Sequence, residues 1–270
     1  MAQSGATLHT DRVRLTTEAY ANSNRLGERI ALYDYEREPM DFVGWVVSRV
    51  TVVPDARVLD VGCGPGRYLA HLLARHPDVI AVGCDLSIGM AAEADAAVVP
   101  AGIAVADAQT LPFADDAFDV ALAPHMLYHV PDIAQAGREL ARVTRADGSI
   151  VIVTNAMDHL AEITELALAA IADVCGPDQV LHPRSFERFP LERAAELLGD
   201  ALAVVATEHC IGLIDVPTSA PVVRYIDSMR EIYVPPVPPE AWSEVLEAVA
   251  QRVERQIATT GAFTTRDRKS

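Results

Sequence analysis

The segment LDVGCGPGR, residues 59–67, combines a carboxylate with closely spaced glycines. Asp60 ends an apolar run, and Gly62, Gly64 and Gly66 follow at alternate positions. Glycines in a strand-to-helix turn adopt positive φ and let the backbone approach a ligand closely. A carboxylate beside them attracts a cation and repels an anion. The segment therefore predicts a ligand-binding loop that receives the cationic end of a small molecule.

Two further carboxylates follow the next two predicted strands. Asp85 lies 19 residues after Gly66, and Asp107 opens the sequence Asp107-Ala108-Gln109. An acidic side chain at the end of the second strand of a nucleotide-binding sheet accepts hydrogen bonds from ribose hydroxyls. The third strand end lies where an adenine edge would reach. Each aspartate taken alone is equally well explained as a helix cap or a solvated loop charge, whereas the ordered set of three indicates a nucleoside site.

Two nucleoside ligands carry such groups, NAD and S-adenosylmethionine. The dinucleotide fingerprint GxGxxG needs a third glycine where this chain has Arg67, and it seats a pyrophosphate on a helix N-terminus. Asp60 would repel that pyrophosphate, but it attracts the ammonium group of S-adenosylmethionine directly or through a water molecule. The charges favour the methyl donor, and an NAD-dependent oxidoreductase stays as the alternative.

The segment APHMLYHVPD, which follows the fourth predicted strand, offers proton acceptors. His125 and His129 would lie beside the donor's methyl group, with Tyr128 between them. Methyl transfer to a hydroxyl or a weakly acidic carbon benefits from a general base, and histidine fits that role near neutral pH. We predict His129 and His125 as catalytic residues and His159 as a further candidate base. The alternative is that these side chains only hold the loop and the helix that follows.

Short apolar runs alternate with amphipathic segments between residues 56 and 155. Runs rich in β-branched residues predict buried parallel strands, and the helical spacing in the intervening segments predicts crossover helices. This pattern predicts an α/β fold with a doubly wound, mostly parallel sheet and a ligand site at the carboxyl ends of its strands. The predicted strands cover residues 56–62, 78–85, 103–108, 118–123 and 149–155.

The flanking parts of the chain show helical patterns that would cover this core. We predict an N-terminal helical lid (residues 1–50), a donor-binding core (51–155) and a third part (156–270) that completes the sheet and carries an inserted helical cap, all in one compact domain. The charged residues 266–269 are predicted to be a frayed tail. In the third part, helices are predicted near 160–173, 191–198, 221–230 and 240–258, and strands at 201–209 and 262–265.

Aromatic residues occur in both flanks, and they predict the walls of an acceptor pocket. We expect the N-terminal helices and residues 217–258 to enclose the acceptor and to set its specificity. The alternative is that the aromatic side chains only pack helices on the sheet. The residues concerned are Tyr20, Tyr33, Tyr35, Trp45, Tyr225, Tyr233 and Trp242.

Composition restricts the partners. The chain has 270 residues, half of them hydrophobic, and a formal net charge of −16. That charge argues against a nucleic acid as acceptor, because nucleic-acid binders usually present basic faces, and we predict a small-molecule acceptor. Four cysteines without metal-ligand spacing predict a reduced, cytoplasmic protein with no metal. No stretch approaches the ~18 apolar residues of a membrane span, so no span is expected.

Beyond these patterns, the chain resembles the class I methyltransferases of the methyltransferase type 11 kind, which include ubiquinone and menaquinone C-methyltransferases. The resemblance is carried by VLDVGCGPGRYL, GCDLSIGM, ADAQTLPFADDAFDVALA and HMLYHVPD, in that order. It implies a Rossmann-like fold and S-adenosylmethionine as the co-substrate. It also implies donor-binding roles: Asp60, Gly62, Cys63 and Gly64 for the methionine moiety, Asp85 and Leu86 for the ribose, Met90, Asp107, Ala108 and Gln109 for the adenine, and Ala123 near the donor's ammonium group.

A looser resemblance extends outside the core. The segments YANSNRLGERIAL and RQIATTGAF are similar to parts of bacterial members with helical caps, some of them from secondary metabolism. This similarity implies that Tyr20 and Arg25 close over the donor, although helix packing explains both residues as well. The predicted function is methyl transfer to an oxygen, nitrogen or carbon atom of a small molecule. A non-catalytic S-adenosylmethionine-binding protein is a further alternative.

Overall fold

The computed structural model describes residues 9–177, 184–230 and 237–269. Its centre is a sheet of five parallel strands in the order β3-β2-β1-β4-β5. This arrangement confirms the α/β fold with a doubly wound parallel sheet that the alternating apolar runs predicted. The strands are β1 (Arg57–Val61), β2 (Ile80–Asp85), β3 (Gly102–Val105), β4 (Phe118–Pro124) and β5 (Thr144–Val153).

Helices precede, connect and follow these strands. A π-helical stretch, Leu15–Ala19, continues the first helical turn, and a 3-10 stretch, Ala31–Tyr35, continues the second helix. Within the described residues the α-helices are α1 (Arg12–Arg14), α2 (Asn24–Ile30), α3 (Phe42–Val47), α4 (Arg67–Arg75), α5 (Ile88–Ala97), α6 (Ile133–Val143), α7 (Ala161–Cys175), α8 (Ala194–Leu198), α9 (Ala220–Ser228) and α10 (Trp242–Thr260).

The central sheet is buried on both faces because successive side chains of a strand point to opposite sides. Val58 of β1 packs with Leu69 of α4 on one face. Its neighbour Leu59 packs with Leu140 of α6 on the other face. The chain runs outward from β1 to β3 in one direction and from β4 to β5 in the other, so the crevice between the two halves opens at the carboxyl ends of β1 and β4.

Two later strands form a sheet of their own. β6 (Cys210–Val216) and β7 (Phe263–Lys269) pair as an antiparallel two-stranded sheet. The expectation that the third part of the chain completes the main sheet is therefore wrong, although an isolated bridge between Asn155 and Lys269 connects the two sheets. The strand expected at residues 201–209 is also wrong: these residues form no strand and Val205 is 96% exposed, because their apolar side chains meet no partner strand.

The charged residues 266–269 belong to β7 and are not a frayed tail. Alternate residues of this strand point into the molecule, where Phe263, Thr265, Asp267 and Lys269 are all buried. Burial of a charge is costly unless the charge is paired, and Asp267 pairs with Lys269 at 2.5 Å. Paired charges can thus occupy inward positions that a hydrophobicity pattern assigns to solvent.

A second apolar core holds the remaining helices. In it α7, α9 and α10 pack with β6, β7 and Leu32 of the lid. These three helices correspond to the helices predicted at 160–173, 221–230 and 240–258, and α8 with a 3-10 turn before it corresponds to 191–198. Tyr233 lies outside the described residues. In the described part of the chain, no helix combines the length and apolar character that crossing a membrane requires.

Candidate active site

A cavity of about 710 Å³ opens at the carboxyl ends of β1 to β4, with the lid on its other side. This volume lies within the ~300–1,000 Å³ of typical small-molecule sites. Its walls come from the glycine loop (residues 62–66), the ends of β2 and β4, the loop after β3, parts of the lid, residues after β5, and single residues of α9 and β7. Motifs that are far apart in the sequence therefore meet at one cavity.

The backbone of the glycine loop forms part of the wall. Gly62 and Gly64 have φ values of 70° and 53°, a region that residues with a side chain rarely adopt. A Cβ atom on Gly62 would lie 2.7 Å from the Cβ of Met126. The amides of Gly62 and Cys63 donate to the carbonyl of Cys84 at 2.7 and 3.0 Å. The loop thus brings backbone to the cavity at a point where a larger residue would not fit.

Asp85 is oriented by backbone amides. Its carboxylate accepts hydrogen bonds from the N–H of Gly64 at 2.9 Å and from the N–H of Ser87 at 2.8 Å. Burial raises the pKa of Asp85, and these backbone hydrogen bonds act in the opposite direction. Each carboxylate oxygen keeps a further lone pair, so Asp85 can still accept hydroxyl groups from the cavity. Leu86 and Met90 continue the wall beside it.

Asp60 lies behind the glycine loop and not on the cavity wall. Its side chain is fully buried, and neither carboxylate oxygen has a hydrogen-bond partner among the described residues. Burial, and secondly the charge of Asp85, raises the pKa of Asp60 well above its ordinary value. Buried polar atoms normally have partners, and a nearby cation would stabilise the ionised form. The residues present therefore fit the ammonium end of S-adenosylmethionine.

Asp107 and Gln109 form a third polar corner of the cavity. Asp107 accepts a hydrogen bond from the backbone N–H of Gln109 at 2.9 Å. Its carboxylate also lies 3.0 Å from the guanidinium of Arg12, which belongs to the lid. Ala108 completes the corner. Carboxylate oxygens and backbone groups are thus presented together where the adenine contacts were expected.

Most of the predicted site residues lie on the cavity wall. Three of them do not: Asp60, which is described above, Ala123 and Arg25. Ala123 is fully buried in β4, and Pro124 lines the cavity in its place because neighbouring strand residues face opposite sides. Arg25 lies off the stripe of α2 that faces the cavity, to which Leu26 and Ile30 belong. The predicted residues on the wall are Tyr20, Gly62, Cys63, Gly64, Asp85, Leu86, Met90, Asp107, Ala108, Gln109, His125 and His129.

The lid is joined to the core at Tyr20. Its hydroxyl donates to Nε2 of His129 at 2.9 Å, and the Ser87 hydroxyl donates to the Tyr20 carbonyl at 2.7 Å. Nδ1 of His129 lies 3.3 Å from the carbonyl oxygen of His9, to which it donates. Both ring nitrogens of His129 are thus engaged by the lid. This geometry favours holding the lid over removing a proton from an acceptor.

The histidines after β4 are neutral in the folded protein. Burial lowers the pKa of both His125 and His129 to about 3, and the positive charge of Lys269 adds to the lowering at His125. His125 has a φ of 56°, and its ring centroid lies 5.9 Å from that of Phe42. A base with so low a pKa takes up a proton weakly at neutral pH. The catalytic roles of these two residues therefore stay predictions.

The cavity wall also contains residues that the sequence patterns did not indicate. Lys269 of β7 and Asn155 after β5 line it, together with Phe42 of the lid and the candidate base His159. The available signal was the alternation along β7, which puts Lys269 on the same buried face as Phe263. That signal is weak because charged residues normally mark the solvent side of a strand.

The aromatic residues predicted to enclose the acceptor divide into two groups. Tyr20, Tyr33 and Tyr225 line the cavity, whereas Tyr35, Trp45 and Trp242 do not. The N-terminal helices therefore supply more of the wall than residues 217–258 do. Among the described residues, no group of three or more His, Cys, Asp or Glu side chains is arranged to hold a metal ion.

The parallel sheet, the glycine loop after its first strand and the carboxylates after its first three strands define the class I methyltransferase fold. A scan against family models gives the same class: residues 59–152 match the family described as the methyltransferase domain. The match is confined to this segment, which holds the glycine loop and the strands β2 to β4.

Curated relatives and solved structures agree with the assignment. The chain is 37% identical over 112 residues to a demethylmenaquinone methyltransferase of Roseiflexus castenholzii, covering 40% of this chain and 47% of the relative. It is 36% identical over 124 residues to methyltransferase GfsG of Streptomyces halstedii, covering 42% and 44%. The chain thus matches less than half the length of these relatives. The fold is similar to that of YcgJ from Bacillus subtilis, with a TM-score of 0.56 and 18% identity over 84% of this chain and 94% of that one.

Proposed function

We propose that this protein transfers a methyl group from S-adenosylmethionine to a small-molecule acceptor. The observation that carries the proposal is a set of three carboxylates at or after the ends of β1, β2 and β3: Asp85 and Asp107 line a 710 Å³ cavity, and Asp60 is buried behind the glycine loop. The methyltransferase relatives support it. A cytoplasmic location and a role in bacterial secondary metabolism remain predictions.

The donor would occupy the acidic end of the cavity. The glycine loop and Asp60 suit its methionine moiety, Asp85 suits the ribose hydroxyls, and Asp107 with Gln109 suits the adenine edge. When bound, S-adenosylmethionine supplies an electrophilic methyl group on a sulfonium. The chain's own contribution is to align an acceptor with that methyl group and to exclude water, and alignment alone accelerates such displacements strongly.

The charges at the glycine loop also separate this function from the alternatives. An NAD-dependent oxidoreductase would place a pyrophosphate where Asp60 is buried without a partner, and the third glycine of its fingerprint is Arg67 here. A non-catalytic protein would bind the donor but would not consume it. Donor binding and turnover therefore have to be measured separately.

Isothermal titration calorimetry with S-adenosylhomocysteine, the demethylated donor, tests the proposal. We expect one site per chain and no comparable binding of NADH. Asp85→Ala should weaken binding at least tenfold, because it removes charge-assisted hydrogen bonds to the ribose, which are worth about 1.5–3 kcal/mol each. Asp147→Ala, at a side chain that is 80% exposed, is the matched control and should bind as wild type does. A folded wild-type protein that binds no S-adenosylhomocysteine would contradict the proposal.

A further inference from the structure

Lys269 is the only lysine among the 22 lysine and arginine residues of the chain. Its side chain is 7% exposed and lines the cavity. A lysine ammonium is a compact charge, whereas the guanidinium of arginine is wide and planar. At this one buried position the chain uses the compact cation.

The ammonium of Lys269 is held by one carboxylate and two aromatic rings. Nζ lies 2.5 Å from Oδ2 of Asp267, 3.8 Å from the ring centroid of Tyr33 and 4.6 Å from that of Phe42. An ammonium has three N–H donors, and ring faces stabilise its charge without acting as oxygen acceptors. The described contacts therefore fix the charge and leave donor capacity toward the cavity.

Asp267 is placed behind the ammonium and not on the cavity wall. It is 1% exposed, and its Oδ1 lies 3.1 Å from Nδ1 of His159. That nitrogen accepts a hydrogen bond from the amide N–H of Arg268 at 3.3 Å, so this edge of the His159 ring is enclosed by β7 and lies beside Asp267. Lys269 therefore lines the cavity, whereas its partner Asp267 does not.

The geometry points to an acceptor with an acidic hydroxyl on a flat apolar body, a phenol or an enol, whose oxyanion is bound by Lys269. This inference rests on the proposed methyl transfer and narrows its substrate class. The Phe42 ring, whose centroid is 4.6 Å from the ammonium, and the cavity-lining Met40 and Val43 provide apolar wall that suits the flat body. Lys269 suits the charged oxygen, and an acceptor amine would instead bring a second cation to the same place.

The reaction balances without a metal or an oxidant. The acceptor O–H loses its proton to solvent as it binds beside Lys269, since a nearby cation stabilises an oxyanion. The oxyanion then donates an electron pair to the methyl carbon as the carbon–sulfur bond of the sulfonium breaks. The products are a neutral methyl ether and a neutral thioether. Lys269 is a binding and positioning residue in this step and exchanges no atom with the substrate.

Three nitroaromatic probes test the acceptor class on the full chain saturated with S-adenosylhomocysteine. The probes are 4-nitrophenol, 4-nitrobenzoate and 4-nitroaniline, which share a body and differ in the polar group. We expect 4-nitrophenol to bind as its coloured phenolate, at least tenfold tighter than 4-nitroaniline, with its apparent pKa lowered in the complex. Preference for the amine or the carboxylate, or no binding of any probe, would overturn the inference.

Variants of the Lys269–Asp267 ion pair test whether the preference for the phenolate depends on Lys269. Lys269→Met should lower phenolate affinity at least tenfold, and Lys269→Arg should restore part of it. Lys269→Met leaves the Asp267 carboxylate buried without its partner, which can destabilise the fold. The double variant Lys269→Met/Asp267→Asn removes both charges and therefore provides the same test without a buried unpaired carboxylate. Arg266→Met, on the same strand with 53% of the side chain exposed, is the matched control. Wild-type phenolate affinity in both Lys269→Met variants would overturn the inference.

Calorimetry with S-adenosylhomocysteine separates this inference from the proposed function. Lys269→Met should bind the demethylated donor within about twofold of wild type, since the ammonium of Lys269 contacts Asp267, Tyr33 and Phe42 and none of the carboxylates proposed to bind the donor. If the wild type binds no S-adenosylhomocysteine, the proposed function fails. If donor binding is normal but phenolate binding does not depend on Lys269, only the acceptor inference fails.

Discussion

The parts of the cavity that we propose bind the donor and the acceptor are built in different ways. The proposed donor end consists of backbone and carboxylates from consecutive strand ends, within residues 60–109. The proposed acceptor end is assembled from Phe42 in the lid, Asn155 after β5 and Lys269 in β7. A site that depends on one short stretch of chain leaves a readable motif, whereas a site assembled from distant segments does not. The comparison predicts that the donor end is sensitive to backbone changes and the acceptor end to changes of single side chains.

The largest backbone effect is expected at the glycine loop. Gly62→Ala should lower the free energy of unfolding by about 2–4 kcal/mol, since it combines a left-handed backbone with a Cβ atom 2.7 Å from Met126. It should also abolish measurable binding of S-adenosylhomocysteine. Gly261→Ala, where φ is also positive at 86° and the backbone is left-handed but no atom lies within 4 Å, should cost only about 1–2 kcal/mol. Chemical denaturation and calorimetry measure both effects, and equal costs at the two positions would show that the contact with Met126 is unimportant.

A smaller effect, of opposite sign at two buried groups, is expected in the pH dependence of stability. The pKa of His129 falls from an ordinary value near ~6.5 to about 3 on folding. Between those values only the unfolded chain binds the proton, so the free energy of unfolding decreases as the pH falls, by up to about 1.4 kcal/mol per pH unit for one group. His129→Gln should reduce this slope, and His209→Gln at an exposed position should not.

Asp60 should act in the reverse direction. Its pKa is raised on folding, so its contribution is complete below the unfolded pKa of ~3.9 and is lost as the pH rises through the folded value. Asp60→Asn should therefore make the protein relatively more stable at neutral pH and change little at pH 3. Denaturation curves from pH 3 to 8 measure both slopes. Parallel curves for wild type and both variants would contradict the opposite effects of burial at His129 and Asp60.

The smallest effect concerns the contact between the lid and the core. A Cβ atom on Gly89 would lie 1.9 Å from the carbonyl oxygen of Ala21, so Gly89→Ala should displace the lid. We expect a severalfold higher Kd for S-adenosylhomocysteine and faster proteolysis of the lid. The methyl group added by Gly27→Ala would have no atom within 4 Å. This substitution should instead stabilise α2 by up to about 1 kcal/mol. Identical proteolysis of the two variants would show that this lid contact does not matter.

The contrast between the two ends also explains what the sequence could predict. Strand ends such as Asp85 follow from local hydrophobic runs, because buried parallel strands are apolar throughout. The loop glycines follow from their spacing. These features needed no knowledge of which distant segments pack together, and they account for the correct fold and for most of the predicted residues that do lie on the cavity wall.

The errors arose where pairing between distant segments decides the structure. Residues 201–209 are apolar enough for a strand, but the partner β7 pairs with the next segment, β6. Asp267 and Lys269 have a charged sequence typical of a solvated end, but their mutual ion pair permits burial. Ala123 shows a smaller error, since one residue along a strand changes the face that it presents.

The contacts of Tyr20 have a consequence for kinetics. The backbone of this residue is bonded to Ser87 and its hydroxyl to His129, so the chain crosses the donor end of the cavity between two fixed points. The donor has to enter before this crossing closes, and its demethylated product has to wait until the crossing opens. We therefore expect compulsory order, with the donor first on and its product last off. Turnover would then respond to the ratio of methylated to demethylated donor and not to the amount of donor alone.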